Sequence, residues 1–263
     1  MAKIIISDFD ETLINDEEEV PTSTVILLDE LRRKNNKFIV ITSRPLKSIL
    51  EYNHDFSFID YIISSDGAYI YDTSLEKVIM KKNILISNVK KLINLFYDKA
   101  IIYLDTDTSY NLISKEEINI DKYDVIKQDN YLEFLEDNKS NIYKMELYFK
   151  NKKDLLEALE QIKNLNLKIN TYIENKDKLY MIGITNQDIN RYEAVNKIIS
   201  KCKEKKEDII FFGSKDKDIE IIKNVGVGVV VSNAEEKIKK IAKNVCDDYN
   251  HKGVEKYLRE YFN

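Results

Sequence analysis

The chain has 263 residues, of which 43% are hydrophobic and 33% charged, and its formal net charge is −5. That length and balance suit a globular chain with a sizeable core in one large or two smaller domains, and no long basic stripe points to nucleic acid. The presence of only two cysteines, Cys202 and Cys246, and two histidines, His54 and His251, argues against a disulfide scaffold, a zinc cluster or histidine-based catalysis.

The opening apolar run, MAKIIISDFD, holds three consecutive isoleucines, too few for a signal peptide or a membrane span. A cytoplasmic protein that does not engage a membrane is expected. Residues 3–8 read as a buried strand of a parallel sheet that ends in an acid. Residues 22–34 have helical spacing, with Pro21 and Thr22 as start signals. A second buried strand covers 37–42, Ser43-Arg44-Pro45 opens a second helix, and 58–64 is a third strand. This alternation predicts right-handed crossovers and a doubly wound parallel sheet.

After Asp66-Gly67-Ala68 the texture changes. Segments 68–72 and 77–80 suggest a hairpin, followed by helices at 86–98 and 151–163 and alternating strands at 144–150 and 178–184. Such alternation predicts an antiparallel sheet with one wet face and helices on the other. The parallel texture returns after 186, with a helix at 190–203, a strand at 208–212, a helix from 216, a strand at 225–231 and helices at 234–243 and 251–262. The expected organisation is an α/β core built from 1–80 and 186–263, interrupted by an inserted α+β cap at 81–185.

The chemistry is concentrated at strand ends, where open parallel sheets bind ligands. Asp8-Phe9-Asp10-Glu11-Thr12-Leu13 follows the first strand. Two carboxylates at that spacing can divide labour, one attacking phosphorus to form an acyl phosphate and the other passing a proton to the leaving group. A magnesium ion would relieve the repulsion between carboxylate and phosphate. Taken alone, the pattern equally suits solvated turn acids. Thr42 ends the second strand, and its hydroxyl with nearby backbone N–H groups, those of Phe9 and Ser43 included, can hold phosphate oxygens. Phe211-Phe212-Gly213 ends a later strand and leads into Ser214-Lys215-Asp216-Lys217-Asp218, where an acid can hold a metal opposite Asp8.

These segments, together with SSDGAYIYD (64–72), INRYEAV (189–195), VGVGVVVSNA (225–234) and HKGVEKYL (251–258), resemble in order and spacing the haloacid dehalogenase superfamily, in particular its Cof-type phosphatases with a large cap. The resemblance implies Asp8 as nucleophile, Asp10 as acid/base, Thr42 and Arg191 as phosphate-binding catalytic residues, and a Mg2+ site at Asp8, Asp10 and Asp218. Departures are local. Arg191 stands at the usual lysine, Ser214 at the usual first acid of G-D-x-x-N-D, Lys217 at the usual asparagine of that motif, and Asp66 at another usual asparagine. Either Ser214 or Asp216 is then the remaining metal-ligand candidate. Lys217 turned outward is the commoner fate of a loop lysine; turned inward, it partly replaces the charge of a metal.

The expected function is magnesium-dependent hydrolysis of a small phosphorylated metabolite, a sugar phosphate by family analogy, by a monomer or small homo-oligomer. The alternative is a fold with weakened catalysis that binds a phosphorylated ligand or serves a regulatory contact. Tyr103, Tyr110, Tyr143, Tyr148 and Tyr180 in the insert are read mainly as packing residues with wet hydroxyls. The run Asp16–Glu19 is read as a solvated turn, and His54 and His251 as surface and loop residues.

Overall fold

A computed structural model describes residues 3–51, 58–107, 109–114, 125–139, 141–176 and 178–263. His54 lies outside these residues. In chain order the elements begin with β1 (Ile4–Asp8), α1 (Thr22–Arg33), β2 (Lys37–Ile41), α2 (Leu46–Leu50), β3 (Tyr61–Ser64), β4 (Tyr69–Asp72), β5 (Lys77–Lys81), α3 (Ile86–Phe96), β6 (Ile101–Asp105), β7 (Tyr110–Ile113), β8 (Val125–Lys127) and α4 (Tyr131–Asp137). They continue with β9 (Lys144–Phe149), α5 (Lys152–Asn164), β10 (Ile169–Lys176), β11 (Leu179–Asn186), α6 (Arg191–Cys202), β12 (Ile209–Gly213), α7 (Ile219–Asn224), β13 (Val227–Val231), α8 (Glu236–Lys239), β14 (Asn244–Cys246) and α9 (Gly253–Phe262). Residues 1–43, 53–79 and 190–263 cluster as one compact unit, and residues 44–52 and 80–189 as another.

Isoleucine, valine and phenylalanine runs form the central strands because both faces of a parallel sheet are covered. Every residue of β1, β3 and β12 is buried. The strand order is β14-β13-β12-β1-β2-β3-β4-β5. The pairs from β14 through β3 are parallel, and β4 returns antiparallel to β3. This is the expected doubly wound α/β core. The carboxyl ends of β12, β1, β2 and β3 lie side by side, so Ser214, Asp8, Thr42 and Ser65 emerge on one edge of the sheet.

Helix α9 is tied to α1 by one buried acid. The Ser23 and Thr24 hydroxyls donate to Glu255 Oε2 at 2.6 and 3.0 Å, and Arg259 Nε donates to Oε1 at 2.9 Å. Burial works to raise the Glu255 pKa, but hydrogen bonds from Ser23, Arg259 and Thr24 outweigh it and hold the carboxyl below its ordinary value. A depressed folded pKa adds stability above the unfolded value, which is lost as pH falls through the folded one. Glu255→Ala is expected to cost about 1–3 kcal/mol, chiefly by stranding buried Thr24. In urea melts the difference from wild type should shrink as pH drops below about 4. At the other end of this region, Asp16 is more than a solvated turn residue, because it accepts hydrogen bonds from Tyr249 Oη at 2.6 Å and Asn250 Nδ2 at 2.8 Å. His251 meets Asp248 at 2.6 Å in the turn before α9.

The second unit holds a six-stranded sheet in the order β10-β11-β9-β6-β7-β8. Contrary to the expectation of an antiparallel sheet, β7 and β8 pair in parallel. The connection between them, residues 114–124, is long enough for a crossover where a hairpin would need only a few residues. One face packs on Val89, Leu92, Ile93 and Phe96 of α3 and Leu155, Ala158 and Ile162 of α5.

The other face is covered at its centre rather than wet throughout. All six residues of β9 are buried. Tyr103, Tyr110, Tyr148 and Met181 cluster there, with Tyr103 stacked on Tyr110 at 4.8 Å. Lys144 and Glu146 form an ion pair at 3.0 Å with side chains only 2% and 3% exposed. The Tyr148 hydroxyl donates to Glu146 Oε2 at 2.8 Å, and the Tyr110 hydroxyl donates to the same oxygen. Tyr110 and Tyr148 are packing residues, as expected, but their hydroxyls satisfy a buried acid where water was expected to do so.

Candidate active site

The site residues all come from the first unit. Asp8 ends β1 in register with Ile41 of β2 and is 3% exposed. Asp10, two residues on, is half-buried, while Phe9 between them is fully buried. The carbonyl of Phe9 accepts from the N–H groups of Leu13 and Ile14, which closes the turn. Thr42 is fully buried, and its N–H donates to the Ile63 carbonyl at 2.8 Å. Ser43 follows it, half-buried.

Arg191 is the first residue of α6. Asn190 caps that helix, its side chain accepting from the N–H groups of Tyr192 and Glu193 at 2.7 and 3.2 Å. The cap fixes where the helix starts, and the guanidinium becomes a three-way hub. Nη2 donates to Asp8 Oδ1 at 2.9 Å and to Asp218 Oδ1 at 3.0 Å, and Nη1 donates to Asp66 Oδ1 at 3.0 Å. Nε is buried without a hydrogen-bond partner among the described residues.

Asp66 reaches this hub from a strained turn. Ser65, Asp66 and Gly67 adopt φ of 51°, 56° and 99°. For the two non-glycine residues this left-handed backbone costs roughly 1–2 kcal/mol each. The Asp66 N–H donates to the Thr42 carbonyl at 3.1 Å, which fastens the turn.

Asp218 is fully buried, and its Oδ2 accepts from the N–H groups of Ser214 and Lys215 at 3.1 Å each. Gly213 makes room for it, since a Cβ there would lie 2.8 Å from Asp218 Cβ and 2.9 Å from its Oδ2. Gly213→Ala is expected to push Asp218 off Arg191 and to cost about 1–3 kcal/mol in a urea melt. Lys217 turns inward rather than outward. Its Nζ is 3.5 Å from Asp66 Oδ1, with a side chain 15% exposed.

Burial, and next the Asp218 charge, push the Asp8 carboxyl up to about 7, against the opposing pull of Arg191, Lys217 and Lys215. For Arg191, burial works against the charged form, but Asp218, Asp8 and Asp66 overcome it and the guanidinium pKa is raised. The cluster is therefore an ion network in which three buried acids share one guanidinium, with the Lys217 ammonium beside Asp66.

The donor set does not fit a magnesium ion, which wants a near-octahedral cage of oxygens including free carboxylates. Asp8 and Asp218 both spend an oxygen on Arg191, and the other oxygen of Asp218 is held by backbone N–H groups. Asp216, a candidate replacement ligand, points away. It is 62% exposed and pairs with Lys237 at 2.6 Å, because the turn after Lys215 projects it to solvent. Ser214, the other candidate, is buried, and its hydroxyl has no partner among the described residues and brings no charge. Among the described residues no group of three or more Asp, Glu, His or Cys side chains is placed to hold a metal ion.

Asp66 and Lys217 stood in the sequence only as departures from the family pattern, with an inward Lys217 weighed as a partial substitute for a metal's charge, and their pairing is what the structure adds. The signal was present, since both replace a family asparagine and their new charges are opposite in sign.

Residues 5–258 match the haloacid dehalogenase-like hydrolases, and the chain belongs to that family. It is 22% identical to the 5-amino-6-(5-phospho-D-ribitylamino)uracil phosphatase YitU of Bacillus subtilis, covering 98% of this chain and 97% of that protein. A second phosphatase of that name from Bacillus subtilis, YcsE, is also 22% identical, over 98% of this chain and 95% of that one. The fold matches a haloacid dehalogenase-like hydrolase from Bacteroides thetaiotaomicron with a TM-score of 0.86 at 18% identity, over 99% of this chain and 100% of that one. It matches the subclass IIB sugar phosphatase BT4131 with a TM-score of 0.78 at 20% identity, over 98% of each chain. The relatives support a phosphatase enzyme. Among the described residues no helix is long and apolar enough to cross a membrane.

Proposed function

We propose that the protein hydrolyses the phosphate monoester of a small metabolite, with Asp8 as nucleophile and Asp10 as proton carrier. The observation that carries this reading is the placement of Asp8 at the sheet edge, fixed by Arg191 at 2.9 Å, with half-buried Asp10 two residues on. A carboxylate oxygen of Asp8 attacks phosphorus as the ester P–O bond breaks. The Asp10 carboxyl gives its proton to the departing alkoxide. Water then attacks phosphorus in the aspartyl phosphate, Asp10 takes its proton, and phosphate leaves with the Asp8 carboxylate restored. Thr42, Ser43 and the backbone N–H groups around Phe9 hold the phosphoryl oxygens, and Arg191 keeps Asp8 aimed.

A sugar or polyol phosphate is the proposed substrate class, on the strength of the relatives named for a phosphoribityl compound and for sugar phosphates. Magnesium has no part in these steps, because the donor set does not fit it. A second reading, phosphate-ligand binding with little turnover, is favoured by one observation: Asp8 and Asp218 are already engaged by the same guanidinium. Hydrolysis of an aryl phosphate and then of a panel of sugar phosphates, with and without magnesium, separates the two. Turnover supports the hydrolase, whereas phosphate binding without turnover supports the second reading.

A further inference from the structure

We propose that the site at Asp8 binds phosphate without a divalent metal, the positive charge being supplied by Lys217 together with Arg191. The inference rests on the reading of this edge as a phosphate site. A phosphate dianion placed beside Asp8 also meets Asp66 and Asp218, which are 5% and 0% exposed. Something cationic must offset that charge, and a bound metal is one common source. Here two of the acids that a metal would need, Asp8 and Asp218, are held by Arg191, and Asp216 is on Lys237.

The cations are built into the chain instead. Arg191 is 7% exposed and joins three acids, and Lys217 is anchored at 3.5 Å on one of them, Asp66. The Lys217 charge is felt at Asp8, as is that of Lys215, which pairs with Glu11 at 3.3 Å. Asp66 holds Lys217 from a turn that spends backbone strain to be there. An ammonium fixed in this cluster also repels any dication that would enter it. The two oppositely charged departures, Asp66 and Lys217, thus act as one device.

The test uses the full-length protein in excess chelator. Inorganic phosphate at millimolar concentration should raise the melting temperature, and added magnesium should not enlarge the rise. Lys217→Gln, checked for folding by circular dichroism, should weaken phosphate binding on the order of tenfold or more. Calorimetric titration of the wild type with manganese should show no single site tighter than roughly millimolar, whereas Ser214→Asp combined with Lys217→Asn should create one.

The proposal is overturned by a phosphate response that needs metal, by its absence under both conditions, or by unchanged phosphate affinity in folded Lys217→Gln. A wild-type manganese site that Asp8→Asn removes also overturns it, as does a folded double variant that gains no manganese site. Phosphate binding in chelator without turnover would keep this proposal and remove the hydrolase reading. Turnover that requires magnesium would overturn this proposal and the metal-free course of the proposed reaction, while keeping Asp8 as nucleophile.

Discussion

Asp8→Asn is expected to lower turnover of any accepted phosphate ester by roughly four orders of magnitude or more, since it removes the oxygen that attacks the ester phosphorus in the first step of the proposed reaction. The same change should leave the fold intact. Asp8 is buried and carries a pKa raised to about 7, with burial the leading cause and Asp218 the next. A carboxyl with a raised folded pKa binds its proton more tightly in the native than in the unfolded chain. Its contribution to stability is therefore present at low pH and declines as pH rises from about 4 toward 7. Asparagine carries no such penalty, so the melting temperature of the variant relative to wild type should rise across that interval. Thermal melts between those pH values check the sign. A variant that is inactive and equally or more stable separates chemistry from folding.

Arg191→Ala is expected to have the largest effect on stability. Asp8, Asp66 and Asp218 are 3%, 5% and 0% exposed and all lean on this one guanidinium. Breaking a buried ion network by deleting one partner typically costs about 3–5 kcal/mol, because the remaining charges stay buried. For a chain of this size that is a fall in melting temperature of roughly 10 °C. Arg191→Lys keeps the charge, but one ammonium cannot reproduce a planar fork with three partners, so an intermediate loss is expected. Urea melts at neutral pH should show a shifted midpoint with an unchanged slope for both variants.

The core was legible because its strands are short apolar runs that end in chemistry-bearing residues. IIISD, KFIVI and IIFFG announce β1, β2 and β12, and the residues after them announce the site edge. The insert was less legible. β10 reads INTYIENK, whose asparagines and lysine suit a loop as well as a strand, and only its pairing with β11 across eight positions decides the matter. β14 has three residues, too few to carry a pattern. Helix α8 is confined to Glu236–Lys239, although helical spacing extends over 234–243.

In the site, Asp8, Arg191 and Asp218 were legible from motif order. The direction of Lys217 and of Asp216 was not. Adjacent loop residues differ by tertiary placement, which puts Lys217 on Asp66 and sends Asp216 to Lys237. The left-handed turn that delivers Asp66 to Arg191 has no unambiguous sequence mark beyond Gly67.

The most direct test of the account is to look for the covalent intermediate itself. The protein would be mixed with an aryl phosphate or an accepted sugar phosphate, quenched in acid within one turnover, and digested for mass spectrometry. One phosphoryl group is expected on the peptide that contains Asp8, absent from Asp8→Asn. Turnover that leaves Asp8 unmodified and continues in Asp8→Asn would contradict it.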